Sequence, residues 1–344
     1  MRDQLTIRQP DDWHIHLRDG KYLKDTVGDA SRNLGRVLVM PNLNPPVITV
    51  ADAQNYRQQI LSHSTSASFN PLMTLYLTPQ TTVTDIEQAA KTDFVKGVKW
   101  YPKHGTTGSS HSIEDISKCS HILQAMLEHD LPLLIHGELT QYNLFERERC
   151  FIEQVMAPLV EQFAQLRMVI EHVSTKEAVD FVYARDNIAA TITPQHLAYD
   201  FTSMLGSTMQ PHYFCMPVLK TPQDKAAIAR AAVSGDKRFF AGTDSAPHPR
   251  AAKESAHVAA GCYSAYHSLA LYAQVFDELG KMDMLEDFTS RFGANFYNEP
   301  LNTSQVTLVK QAWTVPETLP LGDAVVVPLA AGEQLDWQVL QPEL

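Results

Sequence analysis

Short apolar runs rich in β-branched residues alternate along the chain with longer stretches that are polar on one side and apolar on the other. The runs are RVLVM (36–40), LMTLYL (72–77), FVKGVKW (94–100), LPLLIH (131–136), MVIEHV (168–173), AATIT (189–193) and RFFAGTD (238–244). With LTIRQPDDWHIHL in front they make eight candidate strands. Helix signals fall between them. Thr84 with Glu87 and Ser174 with Glu177 fit the S/T-x-x-E capping box, and TPQDKAAIARAAVSG offers Thr221 as N-cap, Pro222 in the first turn and Gly235 past the end. Eight strands interleaved with helices predict a parallel sheet. For 344 residues, one closed (β/α)8 TIM barrel of the α/β class fits better than two doubly wound domains. No GxGxxG or GxxxxGK(S/T) turn argues for a nucleotide fold.

Beyond the helical CYSAYHSLALYAQVFDELG and MLEDFTSRFGANFYN, the tail carries strand-like SQVTLV and DAVVVPL. The expectation is a single domain over 1–344, with 300–344 as a short C-terminal extension of the barrel. The segment KHGTTGSSHS (103–112) is crowded with Gly, Ser and Thr. It reads as a surface loop and, because it follows a strand end, as a candidate lid.

Charge narrows the partners. With 28 Lys plus Arg against 39 Asp plus Glu, the net charge of −11 argues against a sequence-blind nucleic-acid binder, so an anionic ligand must be held by a few local cations. No apolar run approaches the 18 or so residues of a membrane span, and the first residues lack the apolar core of a secretion signal. The four cysteines are scattered with no CxxC spacing, which suits free thiols in a reducing compartment. A cytoplasmic protein is expected.

The candidate chemistry starts at DDWHIHLRDG (11–20). Side chains at i, i+2 and i+4 of a strand share a face, so His14, His16 and Arg18 point the same way. Two neutral imidazoles can pinch one divalent ion, with the guanidinium beside them for an anionic group. His136, His172, Asp244 and Lys99 each close one of the other runs, and in a barrel those carboxyl ends converge on one rim. Five protein ligands exceed an open single-zinc site and fall short of two full sets. A bridging anion from the protein completes the pair if the Lys99 amine, its pKa lowered near the cations, becomes a carbamate. Nitrogen and carboxylate ligands without thiolate suit zinc, with manganese or cobalt as alternatives.

In order and spacing, DDWHIHLRDG, VMPNLNPP, GVKWYP with TTGSSH, LLIHGE, IEHVST, CMPVLK and GTDSAPH with KESAHVAAGCY resemble the amidohydrolases, and within them the short bacterial-type dihydroorotases of pyrimidine biosynthesis. The resemblance runs over nearly the whole chain. It implies that His14, His16 and Asp244 bind the more buried of two zinc ions, that His136 and His172 bind the other, and that Lys99 is an N6-carboxylysine bridge. It further implies that Arg18, Asn42 and His248 hold a substrate carboxylate, with the backbone of Met216 and Ala260 near the ring. Thr106 and Thr107 match the tip of a closing loop. Read without the family, Asn42 is a turn residue and His248 a loop histidine. Trp100, next to Lys99, faces the other way along its strand.

The implied reaction is reversible opening of the cyclic amide of dihydroorotate to N-carbamoyl-aspartate by a metal-bridging hydroxide, with Asp244 as general base and acid. The implied assembly is a homodimer. Two rival readings stand beside it: another cyclic-amide hydrolase such as a hydantoinase, and a non-catalytic barrel that partners another enzyme. The second predicts eroded ligands, and none of the six is missing.

Overall fold

The structure, a computed structural model, describes residues 3–102 and 113–340. Its strands, numbered along the chain, begin with β1 (Gln4–Arg8) and β2 (Asp11–Ile15). There follow β3 (Arg36–Val39), β4 (Asn70–Tyr76), β5 (Val95–Trp100), β6 (Leu133–His136), β7 (Met168–Glu171), β8 (Ile188–Ile192) and β9 (Phe239–Ala241). β2 to β9 form one parallel eight-stranded sheet in sequence order, with helices in the connections. This is the expected (β/α)8 barrel.

The leading run is two strands where one was expected. It breaks at Pro10, which has no N–H to continue a ladder. β1 leaves the barrel and pairs antiparallel with β10 (Gln305–Thr314), which pairs in turn with β13 (Gln334–Val339). β11 (Leu319–Leu321) and β12 (Ala324–Val326) form a separate hairpin. Residues from both ends of the chain thus build one small sheet beside the barrel.

Strand alternation sorts the side chains into two layers. Leu38, Leu72, Leu134, Val169, Ala189 and Phe240 face the interior with Trp13, while their neighbours Val37, Val39, Leu133, Ile135, Ile170 and Phe239 pack outward under the helices. β5 gives this layer Gly97, where a Cβ would meet Leu134 Cδ1 at 3.0 Å. The same parity buries Lys99 and turns Trp100 outward against Phe151, as expected. Below the layer the helix Phe292–Phe296 plugs the barrel. Trp13 stacks on Tyr297 with centroids 4.6 Å apart, and Gly293 lies so close that a Cβ would sit 2.1 Å from Trp13 Nε1.

Between β9 and β2 the barrel closes through a turn. Asp12 accepts from Thr243 N–H (2.8 Å), the Thr243 hydroxyl (2.6 Å) and His14 N–H (3.1 Å). Asp244 N–H donates to His14 O at 2.8 Å, and His16 N–H to Ser245 O at 3.0 Å. This seam carries Asp244 onto the two histidines.

Two helix starts differ from expectation. The helix Val83–Ala90 is capped by Thr82 with Asp85, two residues ahead of the Thr84–Glu87 pair. Thr82 has the extended backbone that an N-cap requires, and Thr84 is already helical. Lys176–Tyr183 is capped by Thr175, whose hydroxyl oxygen accepts from Ala178 N–H at 3.3 Å, and the Ser174 N–H that a Ser174–Glu177 capping box would use is taken by the Glu148 carboxylate. Pro222–Ala232 starts as predicted, with a capping box between Thr221 and Asp224.

Candidate active site

Strand ends deliver the predicted ligands to one rim. His136 is the last residue of β6, and His172 and His16 each follow a strand by one residue. Asp244 lies three residues past β9. His172 turns inward only because its φ is 45°, and Asp244 (47°) and Arg18 (60°) share that left-handed backbone. Such strain in non-glycine residues costs of order 1–3 kcal/mol each and gathers where side chains must be aimed. A hydroxyl fixes one of them: His172 N–H donates to Thr191 Oγ1 at 2.7 Å.

The side chains converge. Asp244 Oδ1 lies 3.0 Å from His16 Nε2 and 3.4 Å from His14 Nε2, and the three residues form a buried set with the reach of a metal site. His136 Nδ1 faces His172 Nε2 at 3.2 Å, and the His14 and His172 rings are 5.1 Å apart. Lys99, fully buried on the interior face of β5, lies 5.1 Å over the Tyr101 ring.

Arg18, Asn42, Met216 and Ala260 line a cleft of about 380 Å³ together with His14, His16, His136, His172 and Asp244. His248 does not line it directly. Its Nε2 lies 3.2 Å from Arg18 Nη2 and 3.0 Å from Ala260 O, while Arg18 Nε donates to Pro247 O at 3.1 Å. Asn42 Oδ1 accepts from His16 Nδ1 at 2.8 Å, so it steadies a histidine as well as lining the cleft. Thr106 and Thr107, with the rest of the candidate lid, lie outside the described residues.

The electrostatics favour unprotonated ligands. Burial pushes His14 and His172 well below the usual imidazole range, with further lowering from Lys99 and neighbouring imidazoles. His16 is lowered chiefly by burial against the pull of Asp244. For Asp244, burial works upward, but the hydrogen bond with His16 and the charges of His14, His16 and Lys99 hold it at about 2. Burial brings the Lys99 amine down to about 8 despite Glu171 and Asp244.

Among the described residues, His14 Nε2, His172 Nδ1 and Lys99 Nζ are buried with no hydrogen-bond partner. An unpaired buried ammonium costs several kcal/mol, and unpaired imidazole nitrogens add to it. A cation on His14 Nε2, with Lys99 converted to a carbamate, would relieve two of these costs; His172 would offer Nε2, the nitrogen that faces His136 Nδ1, so its Nδ1 is not accounted for by a metal. The donor set therefore fits a divalent metal pair.

Three residues of the site were not read from the sequence. Glu171 Oε2 lies 2.7 Å from His14 Nδ1 and accepts from the Thr191 hydroxyl at 2.6 Å. Burial pushes this carboxyl up to about 7. Glu138 Oε2 lies 3.0 Å from His136 Nε2. Tyr101 lines the cleft, its buried hydroxyl without a partner among the described residues. Parity could have found Glu171 and Tyr101: Glu171 is two residues from inward Val169, and Tyr101 two from inward Lys99.

A barrel with histidines, an aspartate and a lysine at the carboxyl ends of its strands defines a class. The chain belongs to the amidohydrolase family, whose family model matches residues 11–317. A dihydroorotase of Synechocystis sp. is 48% identical over 341 residues, covering 98% of this chain and 100% of that protein. Among solved structures, a dihydroorotase from Campylobacter jejuni superposes with a TM-score of 0.91 at 32% identity, covering 98% of both chains. One from Saccharomyces cerevisiae in complex with 5-fluoroorotic acid superposes with a TM-score of 0.92 at 30% identity, covering 100% of both. Within the amidohydrolases, the chain is a member of the dihydroorotases.

Proposed function

We propose that this chain catalyses the reversible hydrolysis of (S)-dihydroorotate to N-carbamoyl-L-aspartate, a step of pyrimidine synthesis, with two zinc ions and an N6-carboxylysine at Lys99. The observation that carries the reading is the meeting of four imidazoles, Asp244 and a buried amine beside a cleft that also holds a guanidinium. His14, His16 and Asp244 would hold one cation and His136 and His172 the other, with the Lys99 carbamate shared. When bound, a cation pair supplies water activation near neutral pH and Lewis-acid polarisation of a carbonyl.

The chain's own residues supply the rest. Arg18 and Asn42 take the ring carboxylate in the cleft, with His248 behind Arg18 limiting where the guanidinium can go. That contact sets the register of the scissile amide, while the backbone of Met216 and Ala260 borders the ring. Asp244, ionised across the neutral range, accepts the proton of the attacking water and returns it to the ring nitrogen as the C–N bond breaks and the C–O bond forms. Ring closure runs the same transfers backwards. The reading extends to a cytoplasmic homodimer, and four buried free cysteines suit a reducing compartment.

The test combines turnover of dihydroorotate beside a neutral hydantoin, a metal count, and the mass of the peptide carrying Lys99. Preference for dihydroorotate, two zinc ions per chain and one added carbon dioxide are expected. A fully metallated enzyme that leaves dihydroorotate intact would overturn the proposal.

A further inference from the structure

A neutral imidazole has one N–H and one lone pair, so whatever accepts the N–H decides which nitrogen faces a metal. His14 and His16 have their Nδ1 atoms engaged, by Glu171 at 2.7 Å and Asn42 at 2.8 Å, and turn Nε2 toward Asp244. His136 is engaged the other way round. Its Nε2 lies 3.0 Å from Glu138 Oε2, and it is Nδ1 that faces His172.

The chain path explains the inversion. Glu138 N–H donates to His136 O at 3.1 Å, a tight turn around Gly137 that folds the Glu138 side chain back on the imidazole just behind it in sequence. Glu138 is fully buried, and among the described residues its other carboxylate oxygen has no partner. Burying a carboxylate whose side-chain partner is one imidazole is expensive for stability alone.

We infer that Glu138 is a positioning residue that fixes the Nε2–H form of His136 and so sets the affinity of the second cation site, the one held by His136 and His172, independently of the first. The inference rests on the two-cation reading above. The second site is the more dependent on such help, because its only unshared ligands are two imidazoles, whereas the first has two imidazoles and a carboxylate. Partners in this position typically change metal affinity by about 10–100-fold.

The experiment uses the full chain loaded with zinc and titrated with a competing chelator, zinc being counted at each step, for wild type, Glu138→Gln and Glu138→Leu. In Glu138→Leu the weaker-bound zinc should loosen about 10–100-fold while the tighter one moves less than about twofold. Glu138→Gln keeps an acceptor and should hold the second zinc within about tenfold of wild type. Histidine nitrogen NMR of the zinc-loaded wild type should find the His136 proton on Nε2 and those of His14 and His16 on Nδ1. Should Glu138→Leu not fold, this spectrum decides. A proton on His136 Nδ1, unchanged zinc release in Glu138→Leu, or equal loss of both ions would each overturn the inference. Fewer than two zinc ions in the wild type would instead defeat the two-cation reading beneath it.

Discussion

Replacing Arg18 with alanine isolates the recognition of the substrate carboxylate from the chemistry. Arg18 Nε is committed to Pro247 O, and Nη2 lies 3.2 Å from His248 Nε2. Among the described residues that leaves the two N–H of Nη1 and the second of Nη2, enough for a carboxylate to take two charge-assisted bonds of about 1.5–3 kcal/mol each. Water entering the space left by the side chain recovers part of this. A net loss of about 3 kcal/mol corresponds to about a 100-fold drop in kcat/KM. The carboxylate lies away from the bond that breaks, so it is held equally in ground and transition states, and the drop should fall on KM with kcat nearly preserved.

Steady-state ring opening, run beside a zinc count, reads this directly. Dihydrouracil, the same ring without the carboxylate, supplies the contrast, because Arg18→Ala should leave its slow turnover unchanged. Adding His248→Ala should cost less than the sum of the single effects, since His248 acts by confining the guanidinium. An unchanged KM for dihydroorotate with full zinc would remove Arg18 from substrate binding. Loss of zinc would show that it supports the metal site instead.

Two further perturbations probe the scaffold. Gly293→Ala drives a methyl to within 2.1 Å of Trp13 Nε1, and Trp13 is clamped by Tyr297 and the Arg36 guanidinium. About 3 kcal/mol of destabilisation and a Tm lower by about 6 °C are expected, against no loss for Gly28→Ala, where a Cβ meets nothing within 4 Å. A melting curve unmoved by Gly293→Ala would show that the floor of the barrel is not packed as described. Burial raises the carboxyl of Glu148 from 4.5 to about 7 against Lys220, Thr175 and Ser174. A folded-state pKa above the unfolded one gives a contribution complete below pH 4.5 and lost as pH rises through 7, about 3 kcal/mol in all. Glu148→Gln should flatten denaturant-measured stability over that window, and an identical pH slope in wild type and variant would refute the assignment.

How much of this was open to reading from the sequence depends on range. The barrel strands announce themselves because both faces are buried, so runs such as RVLV and MVIE carry little polar interruption. The ends of elements are local too, yet two caps moved by one or two residues. A hydroxyl caps only where its own backbone is extended, and that is settled by the preceding turn, which for Thr175 includes Glu148 from another element. A closed barrel was expected from the strand count, but the seam that closes it was beyond reach. It rests on Asp12 accepting from Thr243, 231 residues away, and no pattern around either residue points to the other.

The candidate site divides along the same line. His14, His16, Lys99, His136, His172 and Asp244 could be gathered on paper because a parallel barrel turns the statement "last polar residue of a strand" into a position in space. The partners that choose their nitrogens could not be gathered so, with one exception. Glu171 shares parity with Val169, so any reading that placed β7 in a barrel wall also placed a carboxylate inside it. His172, next in sequence, then needs an irregular backbone to reach the same interior, and its φ of 45° supplies that. Two adjacent residues facing one cavity is therefore the signature of a strand end bent to bring ligand and supporting carboxylate together. β2 uses a different device for the same purpose. A register irregularity between Asp12 and Ile15 lets Trp13 fill the barrel floor while His14 still reaches the rim. Where strict alternation would force a choice between core and chemistry, as at His14 and His172, the backbone departs from it, whereas Lys99 and His136 reach the same rim by alternation alone.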